Sequence, residues 1–560
     1  MASAVRESPV VAAMPPSAVI ARLRGAGPWI WGVLVAIVTI RFYFRYGPGQ
    51  MHLNHEGVSY VHRVVEFLSC LRAGYAFPEW AVDFRGGLGS PYFAYYQPGF
   101  FYVASAFAAL LPVEPALGVT LIVFSVVGYA GLLRLVGERF GTAAGILAGT
   151  MLLMSPYSRV EVYVRGDLSE YCGMMMLPVA LWCLVGWMEQ GRQIHWFVLS
   201  VACGVLIAMH PAAALLGYGM LGLAIVVYGV ALRSPRRAVG ALTALLVGGG
   251  LAAFFWLPVA LEWHLVQGYR AATGGYAYFR HFVDPSTLIV AGKQDLVPVK
   301  LTPVMLGLIG ASSVLLLVER RTVRAAQWRL VVTLWLTAGV SAFMMGPASR
   351  PVWEALPLLQ RIQFPWRVML VITVALATLS ACTPAYARTL ALAGIAVASW
   401  TPLTKMPMRL QYAVVETRAD LLRIFVRPDA ADEWLPWGAR PYRADDVPRE
   451  ARCDVPECRA EKIEREPGHL RTRVTTPRPA SVVLPHYFFP IGWKATRNGV
   501  PVPLARANDG LMRLVLPAGD SVIDVAFTTT PRRWVGVGVS AITLVGLLLG
   551  AVVTRRREAG

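Results

Sequence analysis

Gly47–Gln97 reads GPGQMHLNHEGVSYVHRVVEFLSCLRAGYAFPEWAVDFRGGLGSPYFAYYQ and follows directly on the apolar segment Trp29–Phe44. It carries His52, His55, Glu56, His62, Arg63, Glu66, Arg72, Glu79, Asp83 and Arg85, which makes it too polar to cross a bilayer. It is also too aromatic for a solvated tether. Rings mixed with charges suit the headgroup level, where ring faces meet lipid and polar tips meet water. The stretch therefore reads as a working loop at a membrane surface, and the apolar segments around it read as its mounting.

Composition agrees. Of 560 residues, 56% are hydrophobic and 15% charged, and the mean hydropathy is +0.52. These values exclude an ordinary soluble domain and fit a polytopic membrane protein. The net charge of +19 does not point to nucleic acid, because the basic residues lie in short turns between apolar runs. No basic run interleaved with aromatics forms a nucleic-acid groove. Cys172, Cys183, Cys203 and Cys382 sit in apolar segments and read as packing residues, whereas Cys453 and Cys458 lie in a polar region and can pair in an oxidising compartment. Ala2–Pro28 contains no convincing signal-cleavage site.

The apolar segments can be threaded by charge. Arg22 and Arg24 precede Trp29–Phe44 and place the N-terminus inside and the loop outside. Pro98–Leu111 is too short to span and reads as a helix lying in the outer leaflet. Ala116–Leu132, Thr142–Met154, Tyr171–Trp187, Trp196–Met209, Ala212–Ala231, Ala238–Leu257, Leu301–Val318, Leu330–Met345, Val368–Ala385, Thr389–Trp400 and Trp534–Val553 then alternate in direction. That gives about twelve spans, with the arginine-rich turns at 134–139, 233–237, 320–329 and 555–557 on the inner side. The outer loops fall at 45–97, 156–170, 259–300 and 346–367. Residues 1–403 form the transmembrane domain, 404–533 an extracytoplasmic β-rich domain, and 534–560 a last helix with a basic tail. The β assignment rests on HYFFPIGWKATRNGVPVPL and GLMRLVLPAGDSVIDVAF, which alternate at period two and break at Asn498-Gly499 and Gly519-Asp520. A small β-sandwich is expected there.

Three outer stretches combine acids, arginines and aromatics. In a helix after Glu56, Glu56, Tyr60 and Arg63 share one face at i, i+4 and i+7, with His62 close by. Arg159, Glu161, Tyr163, Arg165, Asp167 and Glu170 crowd the second outer loop, and Gln363, Trp366 and Arg367 begin a late span. Arg367 reads equally as an interfacial anchor or a ligand. His210 either binds a substrate or caps helix carbonyls. Metal ligation by His52, His55 and His62 matches no established spacing.

The runs LRAGYAFPEW, GGLGSPYFAYYQPGFFYVASAF, SPYSRVEVYVRGDLSE, LPVALW, FFWLP and LPLLQRIQFPWR resemble the bacterial membrane-protein family labelled 6-pyruvoyl-tetrahydropterin-synthase-related. That label is a misnomer, since the family belongs with the GT-C glycosyltransferases. The resemblance covers nearly the whole chain, and YFFPIGWKATRNG with GLMRLVLPAG resembles the outer β-domain such proteins often carry. It implies a GT-C-type polytopic helical fold and an active site on the outer face of the bacterial inner membrane. It implies a polyprenyl-phosphate-linked sugar as donor and an envelope glycan, lipid or protein as acceptor.

By motif position the general base is Glu56, where relatives commonly have Asp. Tyr60 stands where His is frequent, and Arg63 matches. Glu161 takes the acid position of the second loop and orients donor or acceptor, while Tyr60, His62, Arg63, Tyr163, Arg165, Asp167, Glu170, His210, Gln363 and Arg367 fall to substrate binding. Arg165 and Arg367 are the expected phosphate ligands. A divalent metal ion is left open, because superfamily members differ. Two other readings compete. A lipid-linked glycan flippase predicts ionisable residues within the spans, and the spans here are nearly free of them. A non-catalytic envelope assembly protein is the third.

Overall fold

The computed structural model describes residues 16–52, 54–283, 297–383, 409–411, 413–421, 423 and 432–559. Among these, seven helices are long and apolar enough to cross a membrane: Gly25–Phe44, Val113–Phe140, Leu168–Gln190, Pro211–Leu232, Ala325–Met345, Pro365–Cys382 and Pro531–Arg556. The segment expected as one span over Ala238–Leu257 is broken. Pro235–Leu251 and Ala253–Leu265 meet at 73°, after Gly248-Gly249-Gly250 and ahead of Pro258, residues that weaken and then interrupt helical hydrogen bonding. Counted as one span, the bent pair makes eight. The expected twelve also drew on Thr142–Met154, a helix of 13 residues, on Trp196–Met209 and Leu301–Val318, which fall in the shorter apolar helices Gln193–Met209 and Met305–Val318, and on Thr389–Trp400, which lies outside the described residues. Gly99–Ala108 is a ten-residue helix, too short to span.

Polarity across the bundle follows from one helix. Leu168–Gln190, a helix of 23 residues, starts just after Asp167, among the second-loop charges, and has Glu189 in its last turn. At that far end Arg139 (2.6 Å) and Arg329 (3.4 Å) pair with Glu189, Arg237 donates to the carbonyls of Met188 and Glu189, and Arg324 donates to the Arg139 carbonyl. The basic turns thus gather at one end, roughly 34 Å from the acidic loop at 1.5 Å per residue. Pro365–Cys382 lies at the centre of the bundle, and every residue of Met369–Cys382 is buried.

The C-terminal region holds two antiparallel sheets. One runs in the order Ala505–Arg506, Leu511–Leu516, Ala480–Tyr487, Arg452–Cys453. The other runs Arg459–Ala460, His469–Thr476, Gly519–Phe527, Trp493–Arg497, Val500–Val502, with Glu464–Glu466 also on His469–Thr476. Val482, Leu484, Leu514, Leu470, Val474, Ile523 and Val525 are buried at alternate positions in a common core. Asn498 and Gly499 turn the hairpin with φ of 47° and 80°, as a two-residue turn between right-twisted strands requires. Cys453 and Cys458 are disulfide-bonded.

These sheets are fastened to the opening loop at many points. Gln50–His52 pairs with Arg409–Gln411. Trp80 donates to His486 Nε2 (2.9 Å), whose Nδ1 meets the Gly87 carbonyl (2.9 Å), and the Tyr487 N–H donates to Leu88 O (2.8 Å). Gly89 permits this contact, since a Cβ there would lie 2.4 Å from Trp80 Nε1 and 2.6 Å from the His486 ring. Buried ion pairs add Arg418 to Asp83 (2.5 Å), Arg85 to Asp432 (2.9 Å) and Arg533 to Glu79 (3.2 Å).

Candidate active site

The expected helix forms over Gly57–Arg72 with Glu56 at its N-cap. Asn54, not Glu56, caps it, its Oδ1 accepting from the Gly57 N–H at 2.6 Å, so the Glu56 carboxylate is left for other work. The first and second loops are laced through backbone: the His55 N–H donates to Val164 O (3.1 Å) and the Glu56 N–H to Arg165 O (2.9 Å). Gly166, with φ of 69°, makes the approach possible, because a Cβ there would meet Gly57 N at 2.7 Å. Just before it, Glu161–Arg165 forms a π-helical turn, a feature common at functional sites.

A cavity of about 1210 Å³ opens between these loops and the C-terminal region. Its polar lining includes Glu56, Arg63, Arg165, Asp167, His210, Arg361, Gln363, Arg367 and Glu433, and its aromatic walls include Tyr95, Tyr96, Trp256, Trp263, Phe364, Trp366 and Trp434.

The four carboxylates around Arg165 differ in what binds them. Glu161 accepts from Arg165 at 2.6 and 2.5 Å and is fully buried away from the cavity. Glu170, also fully buried, pairs with Arg165 and Arg367, each at 3.0 Å. Asp167 accepts from Tyr60 Oη (2.9 Å), Ser169 Oγ (3.1 Å) and the Glu170 N–H (3.2 Å), with Arg165 at 3.3 Å. Burial works against the Asp167 charge, but His210, Arg165 and Arg367 outweigh it and hold the carboxyl well below the usual range. Glu56 alone is loosely held. Among the described residues its one ion pair, to Arg63, is 3.4 Å, and its side chain lines the cavity with 40% of its surface exposed. Desolvation, then the nearby Asp167 charge, raises its pKa above the ordinary carboxylate value. A raised, open carboxylate has the character of a general base, whereas a saturated one does not.

The arginines sort in the same way. Arg63 sits among Tyr60, Tyr92 and Tyr96, with 5.0, 5.1 and 4.9 Å to the ring centroids. Arg165 and Arg367 are committed to Glu161, Asp167 and Glu170. Arg361 lies 4.7 Å over the Trp263 ring and donates to Gly268 O at 3.4 Å. Among the described residues it has no carboxylate partner. Beside it on the cavity wall are Leu358 and Trp256, 64% and 40% exposed.

Asp167, Glu170 and His210 place ligand atoms within 4.8 Å of one another. The chemistry of the set does not fit a metal ion. His210 Nδ1 accepts the Ala213 N–H (3.2 Å), so the neutral ring, which burial favours, carries its proton on the Nε2 that faces both carboxylates. Together with the two guanidiniums, that N–H takes the place of a cation. His210 thus joins two helices: its backbone N–H caps the Leu206 carbonyl of the preceding one at 3.0 Å, and its ring caps the Ala213 N–H of the following one.

Of the residues singled out in the sequence, Glu56, Arg63, Arg165, Asp167, His210, Gln363 and Arg367 reach the cavity. Gln363 adopts φ of 66° and donates to Ala271 O at 2.8 Å. Tyr60, Glu161 and Glu170 are buried behind it and hold the lining residues. Tyr163 turns away and donates to Thr39 O at 2.5 Å. His62 is half-buried on another face of its helix, and burial, then Arg63, lowers its pKa to about 4. Arg361, Glu433 and Trp434 were not anticipated as site residues. Arg361 stands in the quoted RIQFPWR run, but only the fold shows that it lacks a carboxylate.

No family model and no curated protein matches this chain, so the resemblance to the 6-pyruvoyl-tetrahydropterin-synthase-related family has no support from either. Among solved structures it is similar to the arabinofuranosyltransferase AftD from mycobacteria, with TM-score 0.42 and 18% identity over 67% of this chain and 26% of that one. Two classes of a variant of that enzyme align with TM-scores of 0.43 and 0.42 and identities of 18% and 20%, over 67% of this chain and 28% of theirs. The chain thus spans about a quarter of the length of those structures. At that score and identity the likeness decides nothing about this chain's reaction.

Proposed function

We propose that the protein is an integral-membrane glycosyltransferase of GT-C type that moves a sugar from a polyprenyl-phosphate donor to an acceptor hydroxyl. The observation that carries this reading is one cavity holding a loosely paired carboxylate, Glu56, an arginine with no carboxylate partner among the described residues, Arg361, and exposed apolar wall. The bilayer-length separation of this cavity from the basic turns supports an extracytoplasmic site in a bacterial inner membrane.

In the proposed reaction Glu56 takes the proton of the acceptor hydroxyl. The acceptor oxygen forms a bond to the anomeric carbon as the bond from that carbon to the phosphate oxygen breaks. Polyprenyl phosphate leaves as an anion that needs cations more than a proton, and a guanidinium fork matches its oxygens. Arg361 is the first candidate for that contact. Arg165 and Arg367 line the same space, but their charge is largely taken by Glu161, Asp167 and Glu170. Those acids hold the arginines in place. A single displacement inverts the anomeric configuration. A path through the bundle, as a flippase needs, finds little support, since the central Met369–Cys382 is fully buried and carries no Asp, Glu, Lys, Arg or His.

The test is transfer from a panel of radiolabelled polyprenyl-phosphate sugars by purified protein in lipid, wild type beside Glu56→Gln. Turnover in the first and none in the second, with donor binding kept, is expected. Donor binding without turnover in the wild type would refute the transferase reading.

A further inference from the structure

The cavity wall is not built by helices alone. A strap from the β-rich region, residues 432–439, lies along residues 265–268. The Trp437 N–H donates to Leu265 O (2.7 Å) and the Gln267 N–H to Leu435 O (2.9 Å), and Val266 bridges Pro436. The Gln267 side chain fastens the strap again, donating to Pro436 O (3.0 Å) and Ala439 O (2.8 Å). Its first residue, Asp432, is clamped to the buried Arg85 at 2.9 Å.

This strap faces two ways. Glu433 and Trp434 line the cavity. Trp437, three residues on, stands outside with 58% of its surface exposed, against Tyr269, which is 49% exposed, at 5.9 Å between ring centroids. Tyr269 is itself two residues from Ala271, which lines the cavity. The exposed rings therefore continue the cavity outward on a rigid support. Two large rings held open side by side on a segment so firmly fastened make a small apolar patch next to the cavity wall in the chain. The residues that follow Trp437 in the chain argue against lipid: Arg440, Arg443, Asp445 and Asp446 are all exposed and bring both signs of charge. A ring face bordered by charged hydrogen-bonding groups suits a sugar, whose C–H face lies on the ring while its hydroxyls reach the rim.

We propose that Trp437 and Tyr269 form an outer sugar subsite, so that the acceptor is a glycan of at least two units. Its terminal unit enters the cavity beside Glu433 and Trp434, and the next unit lies on the exposed rings. The proposal rests on the transferase reading and specifies its acceptor class.

The experiment measures equilibrium binding of tritiated octyl glycosides with one, two and four sugar units, in a pentose and a hexose series, to the full chain in lipid nanodiscs. In one series the wild type binds two- and four-unit glycosides roughly tenfold more tightly than the one-unit probe, the scale of one good stacking contact. W437A and Y269A remove that gain, and W437F keeps it. Equal affinity for all lengths, a gain that survives W437A, or no glycoside bound at all overturns the proposal and leaves Trp437 a headgroup anchor. If W437A also loses the one-unit probe, the strap has collapsed and Y269A, which leaves the strap's bonds to residues 265–268 in place, decides. Turnover of labelled polyprenyl-phosphate sugars by the wild type, measured beside this binding, separates the two readings. A length-dependent affinity without turnover in the wild type defeats the transferase reading while the subsite stands.

Discussion

The carboxylates of the site divide into one that reacts and others that hold arginines, and Glu170→Gln beside Glu56→Gln tests that division. Glu170 is fully buried, 3.0 Å from both Arg165 and Arg367, and its oxygens accept no hydrogen bond. At an effective dielectric of about 20, each contact is worth roughly 5 kcal/mol before desolvation is subtracted. Removing one member of a buried pair leaves a net loss of about 3–5 kcal/mol, because the other charge stays buried without compensation. Glu56 differs, with a 3.4 Å pair and a side chain 40% open, so its amide costs about 0–1 kcal/mol. Unfolding by SDS titration in mixed micelles, followed by tryptophan fluorescence, reads both numbers. The expected pattern is a destabilised Glu170→Gln, and a Glu56→Gln that is stable, binds donor and does not turn over. Glu170→Gln as stable as wild type would refute the charge-holding role. Restoration of its stability by adding Arg367→Gln would locate the loss in that pair.

Arg361→Ala should weaken binding of a labelled prenyl phosphate by roughly tenfold or more, while Arg361→Lys, which keeps the charge but loses the fork, recovers only part; unchanged binding would move the phosphate to Arg165 and Arg367. The pH profile of kcat/KM should rise through a pKa above the ordinary carboxylate value, because Glu56 is raised by burial and Asp167 and acts only when deprotonated. Burial depresses His486 to about 3, so its contribution to stability is complete above about 6.5 and is lost progressively as pH falls toward 3; His486→Phe should flatten that part of a stability-against-pH curve. Arg418→Ala leaves Glu66 and Asp83 buried together without their cation, so limited proteolysis should cut the opening loop faster. Their pKa values, already raised by burial, should rise further, and this variant should regain resistance as pH falls and the carboxyls take up protons.

What the sequence disclosed was local. Helical spacing put Glu56, Tyr60 and Arg63 on one face, and the structure keeps them there, with Arg63 3.4 Å from Glu56. Spacing could not show that Tyr60 turns to Asp167, 107 residues away, and so supports the site from behind. Glu161 carried the same chemical promise as Glu56 in the sequence. Its position four residues before Arg165 on the π-helical turn spends it on that arginine instead. Arg361 and Arg367 stand in one short run, yet only the fold distinguishes the committed guanidinium from the one without a carboxylate. Trp434 and Trp437 were visible as aromatics in a region without clear periodicity, because the strap that carries them is held by backbone bonds to residues 265–268 and has no pattern of its own.

The opening loop also explains why the β-rich region is attached to it. Glu66, Glu79, Asp83 and Arg85 are all buried, with at most 4% of their surface exposed. Buried charges at Glu79, Asp83 and Arg85, in the stretch that follows the helix Gly57–Arg72, are unstable without partners. The partners are Arg533 for Glu79, Arg418 for Asp83, and Asp432 for Arg85, all more than 300 residues later in the chain. Asp432 is the decisive link, because the residue after it enters the cavity. The clamp that satisfies a buried arginine of the loop is therefore also the clamp that sets the strap in the cavity wall. Loop and β-rich region act as one body, so the site should form only when both are folded.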